Sequence, residues 1–320
     1  MKKLNKCKIC GKKKVLTTIT TRDKTKANLI DCGECECAFL SGNSFNNISK
    51  NKLNHSRLNY KSLSQVSLKK EFQNNYIESE KKYKKFLNKS LIGKNILEIG
   101  PSWGAFLSLA KKMKAKPYGL EIDKKKSKFI NTKLNIKCFE NFKFLEKNKI
   151  KFKRIYLFYV IEYFYNPEKE LKRILNLLDN DGKIVIITPN YNDVLKNVWK
   201  DRNYLNFFYE KNAKNYFSIK SLKKLLKNID IRKFQITCKQ GYSIFNNINW
   251  LFNGLPTKSN YVGSDDLINE FNQKMLETFR FERNKVKHIV NLLKEVDRNY
   301  KEICERKKFG NQIQLIIHKN

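Results

Sequence analysis

The chain has 320 residues, 41% of them hydrophobic, enough for a full α/β domain with smaller modules attached. Its 67 Lys and Arg against 30 Asp and Glu leave a formal net charge of +37. No stretch is long and apolar enough to span a bilayer, and the basic start Met1-Lys2-Lys3-Leu4 lacks the apolar core of a signal peptide, so a cytoplasmic protein is expected. The charge has two readings. It is an electrostatic footprint for nucleic acid or an anionic membrane face, or it is the codon usage of an AT-rich genome, which enriches Lys, Asn and Ile together. Lysine outnumbers arginine and runs along the whole chain, which favours codon usage.

Two Cys-x-x-Cys pairs open the chain: Cys7 with Cys10, followed by Gly11, and Cys32 with Cys35. Each pair presents two thiolates from one tight turn, and two such turns make a tetrahedral zinc site. Cys37 competes for the fourth place. Disulfides do not suit a cytoplasmic chain, and free thiols are the remaining alternative. Four thiolates close the coordination sphere, so the zinc is expected to be structural. Val15–Thr20 and Ala38–Leu40 read as strands of this module, residues 1–45. Residues 46–90 are polar and Lys-rich, with helical runs over Leu68–Leu87, and form a helical linker or cap. Cys138, Cys238 and Cys304 are isolated and read as packed thiols.

The next strand, Asn95–Ile99, ends beside an acid, Glu98, and runs into Gly100-Pro101-Ser102-Trp103-Gly104 and a helix over Ala105–Lys114. A second strand, Lys116–Glu121, ends in another acid. This is how an α/β domain holds an adenosine-containing cofactor: the turn lets backbone approach the ligand, and Glu121 takes the two ribose hydroxyls. A dinucleotide is disfavoured. Ser102 stands where its second glycine belongs, Pro101 removes an N–H that a pyrophosphate would use, and the charge of Glu98 repels a diphosphate but suits an ammonium and a sulfonium. Further strands are expected at Ile136–Phe139, Arg154–Phe158 and Lys183–Thr188, with a helix over Leu171–Leu178. Residues 191–215, rich in Tyr, Phe and Trp, read either as a loop over the pocket mouth or as surface packing of an irregular segment. Ile229–Lys239 and Gln312–Ile317 read as the last two strands, and residues 242–308 as an insertion between them. Its second half, Leu267 to Lys307, has helical periodicity and is a candidate dimerisation element.

The segment Glu98-x-Gly100-x-Ser102-x-Gly104 resembles the Glu/Asp-x-Gly-x-Gly-x-Gly motif of the class I S-adenosylmethionine-dependent methyltransferases, with Ser102 for the middle glycine. Val160-Ile161-Glu162-Tyr163-Phe164, Thr188-Pro189-Asn190 and Tyr216-Phe217-Ser218 are similar to later segments of the same family. The resemblance implies an α/β fold with a Rossmann-like seven-stranded methyltransferase sheet over 91–320. To this it adds a small N-terminal zinc ribbon and a helical C-terminal insertion. It implies S-adenosylmethionine as cofactor, held by Glu98, Gly100, Pro101, Ser102, Trp103, Gly104, Glu121 and Ile122, with Phe142 and Tyr159 lining the adenosine. Where the family often places a histidine base, this chain has Tyr163, and none of His55, His288 and His318 matches a family motif. Glu162 and Tyr163 are therefore the catalytic candidates. Glu162 would orient the acceptor or act as base, and Tyr163 would donate or relay a proton.

The Cys-bearing module, with Gln240-Gly241-Tyr242-Ser243 and Asn246 to Trp250, resembles a methyltransferase subgroup acting on nucleotide-linked sugars or surface polysaccharide precursors. Such an acceptor is the first expectation. An RNA or DNA methyltransferase using the basic surface is the second, weakened because Val160–Tyr163 lacks the Asp/Asn-Pro-Pro-aromatic motif of amino-methylating enzymes. A catalytically inactive cofactor-binding member is the third.

Overall fold

A computed structural model describes residues 4–41, 65–256 and 283–319. His55 and the first part of the expected C-terminal helical stretch, Leu267 to Phe279, lie outside them. The strands in chain order are β1 Leu4–Lys6, β2 Lys13–Thr20, β3 Lys26–Cys32, β4 Cys37–Ser41, β5 Asn95–Ile99, β6 Lys116–Leu120, β7 Lys137–Phe139, β8 Phe152–Phe158, β9 Leu178–Pro189, β10 Asn215–Tyr216, β11 Phe234–Lys239 and β12 Gln312–His318. The helices are α1 Gln65–Tyr83, α2 Ala105–Lys112, α3 Lys124–Lys133, α4 Lys143–Lys147, α5 Pro167–Leu175, α6 Val194–Asn197, α7 Arg202–Phe208, α8 Ile219–Asn228, α9 Ile244–Asn253 and α10 Arg283–Arg306. The chain divides into two compact units, one of 1–41, 189–224 and 236–314, the other of 42–188, 225–235 and 315–320.

The expected seven-stranded Rossmann-like sheet is present, in the order β11-β12-β9-β8-β5-β6-β7. Strands β5 to β9 pair in parallel. The central β5 is apolar on both faces because helices cover both sides of such a sheet: Ile96 and Leu97 are fully buried. On one face, Tyr83 of α1 stacks on Phe158 with centroids 4.2 Å apart, over a core of Ile96, Phe106, Leu109, Tyr156 and Val185. Strand β12 runs against both neighbours. The Lys319 N–H donates to Gly182 O and the Asn190 N–H to Asn311 O, while the His318 N–H donates to Lys233 O and the Asn311 N–H to the Gln240 side chain.

Several boundaries differ from the sequence expectation; β9, expected from Lys183, already begins at Leu178, and β8, expected from Arg154, at Phe152. The helix expected over Leu171–Leu178 is α5, which starts at Pro167: the Asn166 side chain accepts the Lys169 N–H and Pro167 fills the first helical position. It ends at Leu175, since Leu178 already belongs to β9. The helix expected to reach Lys114 stops at Lys112, with Lys114 left-handed at φ 64°. The strand expected from Ile229 begins at Phe234, after a left-handed turn at Asp230.

The first unit carries a five-stranded sheet, β1-β2-β3-β4-β10, in which β4 pairs antiparallel with the distant pair Asn215–Tyr216. The aromatic segment, expected either as a loop over the pocket mouth or as an irregular surface segment, contains two short helices. Tyr191, Tyr204, Phe208 and Tyr209 are buried; Tyr204 packs edge-on against Trp250 of α9, and Phe208 lies tilted against Tyr216. Helix α10 is anchored on α9, with Asp297 accepting the Ile244 N–H at 2.9 Å and Asn247 donating to the Tyr300 hydroxyl.

Candidate active site

The turn after β5 is forced into shape by left-handed residues. Gly100, Ser102 and Gly104 all have positive φ, 71°, 52° and 77°. A side chain at Gly100 would place its Cβ 2.7 Å from Val160 Cγ2, so glycine is required by contact as well as by φ. The bend aims the Ser102 N–H at Glu121 Oε2, 3.0 Å away, while the other Glu121 oxygen accepts the Asp123 N–H at 2.9 Å. Glu121 thus ties the turn after β5 to the turn after β6. Asp123 carried no expected role. Its N–H holds Glu121 and its side chain caps α3, a role legible in an Asp standing directly before a helical run.

Glu98 lies beside Glu121 at the carboxyl end of β5. It is 5% exposed, and its Oε2 is buried with no hydrogen-bond partner among the described residues. Burial first, and then the nearby Glu121 charge, push the Glu98 carboxyl up to about 8. Burial also raises Glu121, against the two N–H bonds and the Lys126 charge that lower it. A buried acceptor with nothing to accept from is costly, and of the two acids Glu98 alone is in that position.

The other predicted contacts divide. Ile122 is 49% exposed beside Glu121, an apolar side chain left in the open. Tyr159, just after β8, is left-handed at φ 56°, strain of the kind that gathers at functional sites; its N–H is fixed to Ile187 O at 2.7 Å. The Phe142 ring is covered on one face by the Arg173 guanidinium, 4.4 Å from its centroid, and that guanidinium is itself held by Glu146. Trp103 turns its side chain elsewhere: the indole N–H donates to Glu71 of α1 at 3.2 Å, and the ring packs edge-on against Phe129. Gly104 faces α3, where an added Cβ would lie 2.8 Å from Leu134 and 2.9 Å from Ile130. Trp103 and Gly104 thus also brace the frame of the turn.

Glu162 and Tyr163 lie on the single turn Ile161–Tyr163 after β8. Glu162 is buried and accepts the Thr188 hydroxyl at 3.0 Å, which joins the ends of β8 and β9. Thr188, within the Thr188-Pro189-Asn190 segment already noted, carried no expected role of its own. Tyr163 is half-buried.

At the head of the chain, the Cys7–Cys10 turn is closed by the Gly11 N–H to Cys7 O, and the Cys32–Cys35 turn by the Cys35 N–H to Cys32 O. The sulfurs of Cys7, Cys10, Cys32 and Cys35 all lie within 4.8 Å of one another. Cys37, opposite Cys32 across β3 and β4, is fully buried and outside this set.

The sheet order, the glycine turn and the two strand-end acids define a class I methyltransferase fold. A methyltransferase-domain family model matches residues 70–235. The chain belongs to that family, and it is an S-adenosylmethionine-dependent methyltransferase. No curated protein matches its sequence. Among solved structures, an S-adenosylmethionine-dependent methyltransferase from Archaeoglobus fulgidus is similar at 15% identity, with 79% of this chain and 99% of that chain covered and a TM-score of 0.45. A possible histamine N-methyltransferase from Thermotoga maritima is similar at 15% identity, covering 80% and 96%, with a TM-score of 0.46. The plantazolicin methyltransferase BpumL is similar at 17% identity, covering 80% and 91%, with a TM-score of 0.43. No described helix is long and apolar enough to cross a membrane.

Proposed function

We propose that this methyltransferase acts, in the cytoplasm, on a nucleotide-linked sugar or a surface polysaccharide precursor, with a structural zinc ion in its N-terminal module. The observation that carries the cofactor half is the orphaned Oε2 of Glu98 beside the doubly bonded Glu121. Bound S-adenosylmethionine supplies an electrophilic methyl on a sulfonium. Glu98 would accept N–H bonds from its ammonium. Glu121, with lone pairs left on both oxygens, would accept from the ribose hydroxyls, and the backbone of Gly100, Pro101 and Ser102 would approach the ligand closely. The exposed Ile122, the free face of Phe142 and Tyr159 would flank the adenine. Glu162, steadied by Thr188, would orient the acceptor or take its proton, and Tyr163 would relay it.

The acceptor class rests on the resemblance of the Cys-bearing module to that subgroup. The donor set fits zinc. The Cys10 and Cys32 sulfurs are 3.8 Å apart, the edge of a tetrahedron with Zn–S bonds of about 2.3 Å. The deciding experiment is transfer of labelled methyl to a panel of nucleotide-linked sugars, with total cellular RNA as the competing acceptor. Label in a nucleotide sugar supports the proposal; label in RNA alone overturns it.

A further inference from the structure

Residues 124–154 carry twelve Lys and Arg against two carboxylates, Glu140 and Glu146, so about a tenth of the chain holds ten of its thirty-seven net positive charges. The α3, β7 and α4 of this stretch lie at the β7 end of the large sheet, and its last residues, Phe152 to Arg154, open the interior strand β8, where Lys153 is paired with Asp181. Lys124, Lys128, Lys137, Lys143 and Lys147 are exposed and form no ion pair with a described residue. Arg173 occupies Glu146, so the edge keeps its charge. The excess is already present in this stretch of sequence, and the fold sets most of it along one side of the sheet.

A groove crosses this edge, lined among others by Lys124, Lys128, Phe139, Glu140, Asn141 and Phe144. Lys124 and Lys128 are four residues apart on α3, hence on one helical face. Phe144 stacks on Phe139 with centroids 4.5 Å apart and planes 15° apart, and its outer part is open, 47% exposed. Glu140 is exposed, with no hydrogen bond or ion pair to a described residue. Ammonium groups track phosphates and an open aromatic face takes a splayed base. A carboxylate in such a groove repels phosphate but accepts a hydrogen bond from a ribose 2′-hydroxyl, which DNA lacks. An anionic membrane would use the lysines and take the ring into its interface, but it has no partner for Glu140.

We propose that the groove between α3 and the β7–α4 segment binds single-stranded RNA, with Lys124 and Lys128 on the phosphates, Phe144 under a base and Glu140 on a 2′-hydroxyl. This contact does not depend on the identity of the methyl acceptor. The test is fluorescence anisotropy of the full chain with fluorescein-labelled twelve-residue oligouridylate and oligothymidylate, at two salt concentrations. The expected result is tighter binding of the RNA. K124E/K128E should weaken it at least tenfold and flatten the slope of log affinity on log salt by about 1.4, for two single-strand phosphate contacts. K223E/K224E, the same charge change on exposed α8 lysines, should weaken it less than threefold. F144A should weaken RNA binding while leaving binding of inorganic polyphosphate unchanged, and E140A should abolish the preference for RNA over DNA. Equal losses from the two charge-reversed pairs, no RNA preference in the parent chain, or binding of phosphatidylserine vesicles in place of RNA would each overturn the assignment. F144A adds no charge and reads the groove even if K124E/K128E folds poorly.

Discussion

Glu98 carries the sharpest consequence at the scale of single residues. Its carboxyl has an ordinary value of 4.5 and sits at about 8 in the fold. Between those values the folded chain binds a proton that the unfolded chain has released. Stability from this group is therefore greatest at low pH and is lost as pH rises through the window, by at most about 1.4 kcal/mol per pH unit. Glu98→Gln should flatten the pH dependence of the urea midpoint between pH 6 and 8. A bound ammonium would demand the ionised form, so S-adenosylmethionine binding at pH 7 should release most of one proton. Calorimetry in buffers of differing ionisation enthalpy would read it, and the release should vanish in Glu98→Gln. Equal release in both proteins would remove Glu98 from the cofactor site. The acid and its counterpart Glu121 were both legible in the sequence, because each ends a short apolar run at a turn. The bonds that occupy Glu121 were not, since they depend on the left-handed φ of Ser102, a residue type that does not announce it.

Among elements, the turn after β5 separates two duties that its sequence motif runs together. Gly100 meets Val160 of the turn after β8, whereas Gly104 meets Ile130 and Leu134 in and just after α3. Gly104→Ala should therefore act on the fold: a Cβ at φ 77°, overlapping two core side chains, should cost about 1–3 kcal/mol in urea unfolding. The same logic applies at the head of the chain. Cys10→Ser should lower bound zinc well below one per chain, while Cys37→Ser should leave one per chain, with the metal measured by atomic absorption. The reverse pattern would put Cys37 in the ligand set. Spacing identified the two Cys turns but could not rank Cys37. That ranking needs the folded positions of the sulfurs, which put Cys10 rather than Cys37 in the four-sulfur cluster, although Cys32 and Cys37 are equally buried. Strand β10 was illegible for a related reason: two residues carry no period, and only pairing with β4 makes Asn215–Tyr216 a strand. The early end of α5 follows from the same limit, because Leu175 and Leu178 are both apolar and only the start of β9 decides between them.

For the whole molecule, the large sheet was readable from its alternation of apolar runs and helices, and the charge excess of 124–154 could be counted, whereas its placement at the β7 edge needed the strand order. Zinc should act on the first unit as a whole. Chelation under reducing conditions should lower the thermal midpoint and expose the thiols of Cys7, Cys10, Cys32 and Cys35 to a maleimide, while Cys138, packed in the other unit, stays protected. Simultaneous labelling of all of them would mean that the metal holds the entire chain. The strand order also constrains manufacture. β12 is wedged between β9 and β11, yet it is translated after both. Until Gln312 to His318 leave the ribosome, one edge of β9 has bare amides and carbonyls, and β11 has no place to bind. A nascent chain in that condition is an open template for other strands, so the interval between synthesis of β9 and of β12 is when this protein should most need a chaperone.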